Sequence, residues 1–303
     1  MENISLVVDE YYKGFFFLFL PNMCNARCSF CYVHPTYLKQ GRISNSSLSG
    51  LDKLFRQLDR LGFETVRITG GEPSIFDNLD QLIETINNYN FNYTVLTNSF
   101  DNLNLLKAFA VKPPKKITIS FHSIANYKKI FGVNKNPLKT IEYIKDYVAS
   151  GLSVTVTLMF LKENMNELKD LIDFFFQLSV GEIKIIYPNI YKLQLKLKDD
   201  YNDLISELDN YAESKTKIRY TDLNEKKCLL RKRGFLSITL PDFNITDCCI
   251  NAVNKDNIHL KTDFSNLSTL LRRFYFMRNN ISGFPCESFI CSCPLALKNF
   301  SYA

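Results

Sequence analysis

The sequence of 303 residues has no continuous apolar run long enough to cross a bilayer. Its first residues lack the basic region and the apolar stretch of a secretory signal peptide. Tryptophan is absent, and no repeat, low-complexity tract or heptad pattern occurs along the chain. We therefore expect neither a membrane-spanning protein nor a secreted one, and we expect the protein to be cytoplasmic.

Excess charge is also modest, because the formal net charge is +6. A balance of this size gives little support to a nucleic-acid partner. Apolar residues make up 46% of the chain, enough to bury a full core in one large or two unequal domains. The nine cysteines are an odd number, which a pure disulfide framework does not explain. In a cytosolic chain they indicate metal binding.

Strand-like runs alternate with helical patterns through the first two-thirds of the chain. The predicted strands are residues 15–20, 65–69, 93–97, 117–121, 153–158 and 183–187. Apolar residues at helical spacing predict a helix over residues 44–61, ended by Gly62. Six strands separated by helices predict an α/β fold with a parallel sheet and right-handed crossovers. Functional groups should then gather at the carboxyl ends of the strands.

Three cysteines follow the first strand with the spacing Cys24-x3-Cys28-x2-Cys31. Three thiolates within eight residues can bind three irons of a [4Fe–4S] cubane from one loop. The fourth iron then has no protein ligand and can bind a small molecule. A zinc site would need four ligands, and the nearby sequence offers only His34 as the fourth.

The segment Cys24-Asn-Ala-Arg-Cys28-Ser-Phe-Cys31-Tyr resembles the signature of the radical S-adenosylmethionine (SAM) superfamily. Thr69-Gly-Gly-Glu-Pro73, some forty residues on, resembles the second motif of that family. The resemblance implies a partial (β/α)6 radical SAM barrel, which we place in a domain of residues 1–220. It also implies that the open iron chelates SAM and that reductive cleavage yields a 5′-deoxyadenosyl radical.

The resemblance further implies roles for residues around SAM. In this family pattern, Phe30 packs beside the adenine and Gly70-Gly71-Glu72 meets the SAM amino group, with Glu72 supplying part of the countercharge. Asn98 and Ser120, at the ends of strands, are predicted to contact the methionine carboxylate or the ribose.

His122 stands where many relatives have an aspartate. With an ordinary pKa of about 6.5 it can move a proton at neutral pH, and we predict a catalytic role. A structural hydrogen-bonding role is the alternative.

Residues 221–303 differ in pattern and are predicted to form a second, small α+β domain. A hairpin turning near Pro241-Asp242 and a helix over residues 264–277, flanked by six cysteines, resemble the twitch or SPASM-like domain of radical SAM enzymes. The resemblance implies one auxiliary [4Fe–4S] cluster. The preferred ligands are Cys228, Cys248 (or Cys249), Cys291 and Cys293, and Cys286 is a candidate catalytic hydrogen-atom donor.

The expected function is abstraction of a substrate C–H hydrogen, with a ribosomally made peptide as the substrate. A small-molecule enzyme, either a dehydrogenase or one resembling the molybdenum-cofactor GTP cyclase, is the alternative. A zinc-binding nucleic-acid module is a remote third. The resemblance also implies a flavodoxin- or ferredoxin-type electron donor. Only fourteen residues precede the first strand, so peptide capture falls to the second domain or to a separate leader-peptide-binding protein.

Overall fold

The structure, a computed structural model, describes residues 7–31, 36–37, 40–187, 198–207, 216–220, 236–246, 258–259 and 264–280. The strands are β1 Phe15–Leu20, β2 Met23–Cys24, β3 Thr36–Tyr37, β4 Thr65–Gly70, β5 Asn92–Thr97, β6 Lys116–Ser120, β7 Val154–Met159, β8 Glu182–Ile186, β9 Lys217–Tyr220, β10 Ser237–Thr239, β11 Asn244–Thr246 and β12 Ile258–His259. The helices are α1 Asn45–Arg60, α2 Leu79–Asn88, α3 Leu103–Val111, α4 Tyr127–Phe131, α5 Pro137–Ala149, α6 Leu168–Gln177, α7 Lys198–Ser206 and α8 Leu267–Asn280. A π-helical turn, Val7–Tyr12, precedes β1.

A ten-stranded sheet organises most of these elements, in the strand order β12-β11-β10-β1-β4-β5-β6-β7-β8-β9, and β2 pairs with β3 in a separate two-stranded sheet. Neighbours from β1 to β9 are all parallel, as crossover helices require. Side chains alternate between the two faces of each strand. Along β1, for example, Phe16 and Leu18 are fully buried in the core shared with the helices, and Phe17 lies on the other face. The sheet is open, with β12 and β9 at its two edges, as in a partial barrel. We call the face on which Phe17 lies the lumen face.

The local sequence explains both ends of helix α1. Ser44 is the N-cap, and its side chain accepts a hydrogen bond from the Ser47 N–H at 3.1 Å. Leu51 and Leu58 are fully buried on one face. The chain reverses at Gly62, which has a positive φ of 89°. The predicted helix over residues 44–61 is therefore confirmed.

The predicted fold class is confirmed, and each of the six predicted strands matches an observed strand to within one residue at each end. The predicted hairpin is also present, as the antiparallel pair β10 and β11. Among the features that were not predicted, β9 extends the parallel sheet beyond β8, and β10 joins the opposite side by pairing in parallel with β1. The division into domains at residues 220 and 221 stays a prediction.

Two buried cores pack against the sheet. One surrounds β1, β4, β5, α1 and α2, and the other surrounds β6, β7, β8 and α4 to α6. Cys24, Cys28 and Phe30 pack against the second core, at the carboxyl ends of the strands. Within the described ranges, no helix is both long and apolar enough to cross a membrane.

Candidate active site

The two sequence motifs meet at the ends of β1 and β4. Gly70 has a φ of +108°, and a Cβ there would lie 2.6 Å from the Leu20 carbonyl oxygen. A Cβ on Gly71 would lie only 2.1 Å from the Met23 carbonyl oxygen. That same oxygen accepts a hydrogen bond from the Glu72 N–H at 2.8 Å. Glycine is required here because the second motif packs directly against the chain that enters the cysteine loop.

Glu72 is almost fully buried, with 4% of its surface exposed. Its Oε1 accepts hydrogen bonds from the Ser74 N–H at 2.9 Å and from the Thr97 hydroxyl, and its Oε2 accepts one from the Asn98 N–H at 2.7 Å. Burial raises the pKa of Glu72, and the bonds from Asn98, Thr97 and Ser74 oppose that rise. The carboxylate therefore ties the end of β4 to the end of β5 and caps the 3-10 turn Pro73–Ile75.

A second link joins the end of β5 to the cysteine loop. The Asn98 Nδ2 donates to the Asn25 Oδ1 at 2.7 Å, and the Asn98 Oδ1 accepts from the Phe100 N–H at 3.0 Å. Asn25 follows Cys24, whose Sγ accepts a bond from the Ala26 N–H at 3.4 Å. Hydrogen bonds and packing thus hold the loop on both sides of its first cysteine.

The three cysteines of the loop are free thiols, each half-buried. Burial, then the charges of Glu72 and Cys31, raise the pKa of Cys24 to about 12. Burial, then Cys31 and Cys24, raise the pKa of Cys28 as well. The thiolates are therefore close enough to repel one another, and iron bound to them would remove that repulsion. This donor set fits a [4Fe–4S] cluster.

A zinc site at this loop would need a fourth ligand, and His34, the nearby candidate, lies outside the described residues. Among the described residues, no group of three His, Cys, Asp or Glu side chains is arranged to hold one metal ion. A cubane does not need three ligands that converge on a point, because each cysteine binds a different iron. The preference for a cubane over zinc therefore stays a prediction from the cysteine spacing.

His122 is buried beside the cysteine loop. Its ring stacks on Phe131 with centroids 5.1 Å apart, and the Phe30 ring meets it edge-on at 4.9 Å. Its Nδ1 accepts a hydrogen bond from the Met159 N–H at 3.1 Å. Burial lowers the pKa of His122 to about 3. The expectation that this residue titrates near 6.5 is therefore corrected: His122 is neutral at physiological pH, with the proton on Nε2.

This burial predicts a pH dependence of stability. An unfolded histidine binds its proton with a pKa of about 6.5, whereas the folded one does so only near 3. Between these values the unfolded state holds more protons, so acid lowers the free energy of unfolding. From pH 8 to pH 5 the contribution of His122 should fall by about 2 kcal/mol. The variant His122→Asn keeps an acceptor for the Met159 N–H. In urea unfolding at pH 8 and pH 5, its free energy of unfolding should fall by about 2 kcal/mol less than that of wild type. Equal losses would contradict the burial argument.

The remaining predicted roles stay predictions. Phe30 is half-buried, and Ser120 lies at the end of β6, opposite Thr157 of β7. The predicted SAM contacts of Gly70, Gly71, Glu72 and Asn98 involve residues that also hold the loop together. The predicted tail residues lie outside the described residues: Cys228, Cys248, Cys249, Cys286, Cys291 and Cys293.

Sequence reasoning did not assign any role to Asn25, and it placed Thr97 at a strand end near SAM without predicting its hydrogen bond to Glu72. Asn25 lies between two cysteines, yet its partner is 73 positions away, and no local pattern links the two. Thr97 ends a predicted strand, which was the available signal that its hydroxyl faces the site.

The family model of the radical SAM superfamily matches residues 18–175, just over half of the chain. The chain belongs to the radical SAM superfamily. It is therefore an enzyme of a family that uses a [4Fe–4S] cluster and SAM. The matched range contains the cysteine loop, the glycine motif and the ends of β5 and β6.

Relatives in sequence are probable GTP 3′,8-cyclases. That of Sulfurisphaera tokodaii is 28% identical over 174 residues, covering 55% of this chain and 53% of the relative. That of Saccharolobus solfataricus is 29% identical over 224 residues, covering 71% of this chain and 67% of the relative. The chain thus spans between half and two-thirds of the length of these proteins.

Among solved structures, Streptococcus suis SuiB bound to SAM has a TM-score of 0.68 and 15% identity. The match covers 95% of this chain and 72% of SuiB. SuiB bound to its precursor peptide SuiA matches with the same TM-score and 14% identity, over 95% of this chain and 71% of SuiB. At such identities the likeness establishes the radical SAM fold alone.

Proposed function

We propose that this enzyme binds a [4Fe–4S] cluster at Cys24, Cys28 and Cys31, cleaves SAM reductively and abstracts a C–H hydrogen from a substrate in the barrel lumen. The observation that carries the proposal is the contact between the two motifs, because Gly71 and Glu72 pack against the carbonyl of Met23. When bound, the cluster and SAM would supply the radical that abstracts the hydrogen.

The residues of the chain hold this site and exclude water from it. Cys24, Cys28 and Cys31 are the metal ligands. Phe30 and His122 form an apolar wall beside them, with His122 neutral. Polar groups at strand ends, Ser120 among them, orient the SAM head group.

A peptide residue is the first candidate substrate. SuiB, whose structure contains a bound precursor peptide, shares this fold over 95% of the chain. In this version residues 221–303 form a twitch or SPASM-like domain with an auxiliary [4Fe–4S] cluster at Cys228, Cys248 or Cys249, Cys291 and Cys293. A separate leader-binding protein delivers the peptide, and Cys286 returns a hydrogen atom if the product is an epimer.

A small anionic molecule is the second candidate, and the charges on the lumen face favour it. Glu182 at the start of β8 is buried, and its carboxylate lies 2.8 Å from the Lys116 Nζ, 2.7 Å from the Arg219 Nε and 3.8 Å from the Lys184 Nζ. Three cations therefore share one carboxylate. The Thr155 hydroxyl donates to it as well, at 3.0 Å. The net positive charge of this group suits a phosphate or a carboxylate.

The position of Lys184 places that charge near the cofactor end of the lumen. Its strand neighbours Ile183 and Ile185 are buried on the helix side, so Lys184 points to the opposite face. Burial, together with the nearby cations, lowers its pKa despite the proximity of Glu182. Lys184 pairs with Thr157, which pairs with Ser120 at the end of β6. An anionic group bound there would lie in the same layer as a predicted SAM contact.

A labelling experiment separates the two candidates. Cells grown in fully deuterated medium give a peptide fraction and a small-molecule fraction, each incubated with the reduced enzyme and unlabelled SAM. Mass spectrometry of 5′-deoxyadenosine then shows which fraction passes deuterium to it. We expect label from the peptide fraction if the first candidate is right. Label only from the small-molecule fraction would overturn the first candidate. In that case Lys184→Met should reduce the transfer of deuterium to 5′-deoxyadenosine. The control Lys53→Met, at an exposed position of α1, should leave the transfer intact.

A further inference from the structure

A second close approach of backbone, besides the one that Gly71 makes, fixes the middle of the cysteine loop. Gly132 follows α4 as its C-cap and has a left-handed conformation, with a φ of +66°. A Cβ there would lie 2.5 Å from the Arg27 carbonyl oxygen and 2.9 Å from the Arg27 Cβ. Only glycine fits such a contact without a shift of the chain. Because Arg27 directly precedes Cys28, Gly132 limits where the second cysteine of the loop can lie.

A hydrogen bond holds the loop at the same point. The Arg27 N–H donates to the carbonyl of Phe131, the last residue of α4, at 2.8 Å. The end of α4 therefore contacts Arg27 at its N–H and at its carbonyl, on both sides of one α-carbon. The Cys31 N–H donates in turn to the Cys28 carbonyl at 3.1 Å. A shift of Cys28 would therefore also disturb the third cysteine.

Helix α4 is anchored by its own buried side chains. The Phe131 ring packs on the Tyr127 ring with centroids 4.6 Å apart and on the Phe100 ring with centroids 5.0 Å apart. The Tyr127 and Thr140 hydroxyls share a hydrogen bond of 2.9 Å, which ties α4 to α5. Moving α4 would disrupt this packing. An atom added at Gly132 would therefore displace the loop rather than the helix.

The start of α4 is tied to the segment that follows β7. The Glu167 carboxylate accepts hydrogen bonds from the Ile124 N–H at 3.0 Å and from the Ala125 N–H at 3.2 Å. It also accepts one from the Ser123 hydroxyl. Helix α4 has five residues, little more than one turn, so what holds its start also holds its end.

We propose that Gly132 is a positioning residue for the cluster: with α4 it holds Arg27, and thereby Cys28, where an iron needs its ligand. The proposal relies on the proposed function for the role of Cys28, whereas the placement of Cys28 is measurable without iron. Gly71 packs against the chain ahead of Cys24, and Gly132 packs against the chain ahead of Cys28. The loop is thus held ahead of two of its three cysteines.

Alkylation of the free thiols tests this placement in the protein without iron. Cys28 packs against a buried core, so Gly132→Ala, which displaces it, should let iodoacetamide alkylate Cys28 at least about threefold faster. The rate at Cys24, which is held from the other side, should not change. Tandem mass spectrometry of peptides from partly alkylated protein measures each cysteine separately.

Gly62→Ala is the matched control for the strain of the backbone. Gly62 also follows a helix at a positive φ, of 89°, yet no atom lies within 4 Å of the new Cβ. Both alkylation rates should therefore equal those of wild type.

Glu167→Ala provides a test that adds no atom to the contact. It frees the start of α4 and should also speed alkylation of Cys28. Circular dichroism shows first whether Gly132→Ala folds. If it folds, an unchanged rate at Cys28 would overturn the positioning role. If it does not fold, the rate in Glu167→Ala decides in the same way.

Iron analysis and electron paramagnetic resonance (EPR) separate this inference from the proposed function. After anaerobic reconstitution, Gly132→Ala should lose loop irons or shift the EPR spectrum of the reduced protein, while Gly62→Ala should match wild type. If wild type binds no iron at the loop, the proposed function is wrong, and faster alkylation would still show that Gly132 places Cys28. Full iron and an unchanged spectrum in Gly132→Ala would mean that the cluster does not need this contact, which would overturn the inference and leave the proposed function intact.

Discussion

Replacing Cys24, Cys28 and Cys31 together by alanine should abolish SAM cleavage and halve the iron content. We expect wild type to hold about eight irons after anaerobic reconstitution, four in each of two clusters, and the triple variant to keep about four. The thiols of the loop are half-buried, and burial together with mutual repulsion raises the pKa of Cys24 and of Cys28. They therefore form a stable set of thiolates only with bound iron. Iron and sulfide analysis and chromatography of 5′-deoxyadenosine provide the measurements.

The control for this experiment is Cys286→Ala, which removes a thiol that we assign to neither cluster. It should keep the full iron content and normal reductive cleavage of SAM. Zinc in place of iron in wild type would contradict the cluster. Loss of all iron in the triple variant would contradict the auxiliary cluster and leave one cluster per chain.

Much of the fold could be predicted because the strong signals in this sequence are local. A continuous apolar run defines β1. Apolar residues at helical spacing define α1, with the capping serine Ser44 at its start and Gly62 as its stop. The cysteine spacing likewise needs only eight residues. Such features depend on short-range geometry, which the sequence carries directly.

The features that were missed depend on contacts between distant segments. Strand β10 has only three residues and is stabilised by pairing with β1, more than two hundred positions earlier. The hydrogen bond between Asn25 and Asn98 gives no periodic signal. Burial of His122 also depends on Phe30 and Phe131, which come from other elements, so an ordinary pKa was the natural expectation.

The contacts of Gly71 lead to a strong prediction about cluster assembly. Gly71→Ala should destabilise the protein by at least about 1–3 kcal/mol, the usual cost of overpacking, because its Cβ would lie 2.1 Å from the Met23 oxygen and 2.5 Å from the Pro21 oxygen. Those are backbone atoms, so the chain entering the cysteine loop must move. The hydrogen bond from the Glu72 N–H to Met23 should break, and Cys24 should shift from its position in the site.

We therefore expect Gly71→Ala to lose the irons of the loop cluster and all SAM cleavage, even where urea unfolding shows that the variant still folds. Gly151→Ala is the matched control. Gly151 has a positive φ of 79°, so alanine is strained there, yet no atom lies within 4 Å of the new Cβ. It should lower stability by about 1 kcal/mol and keep its iron. Full iron and normal cleavage in Gly71→Ala would mean that the second motif does not hold the loop. A loss of cleavage with full iron would place the role of Gly71 at SAM itself, since the cluster would then assemble without the glycine while SAM failed to bind.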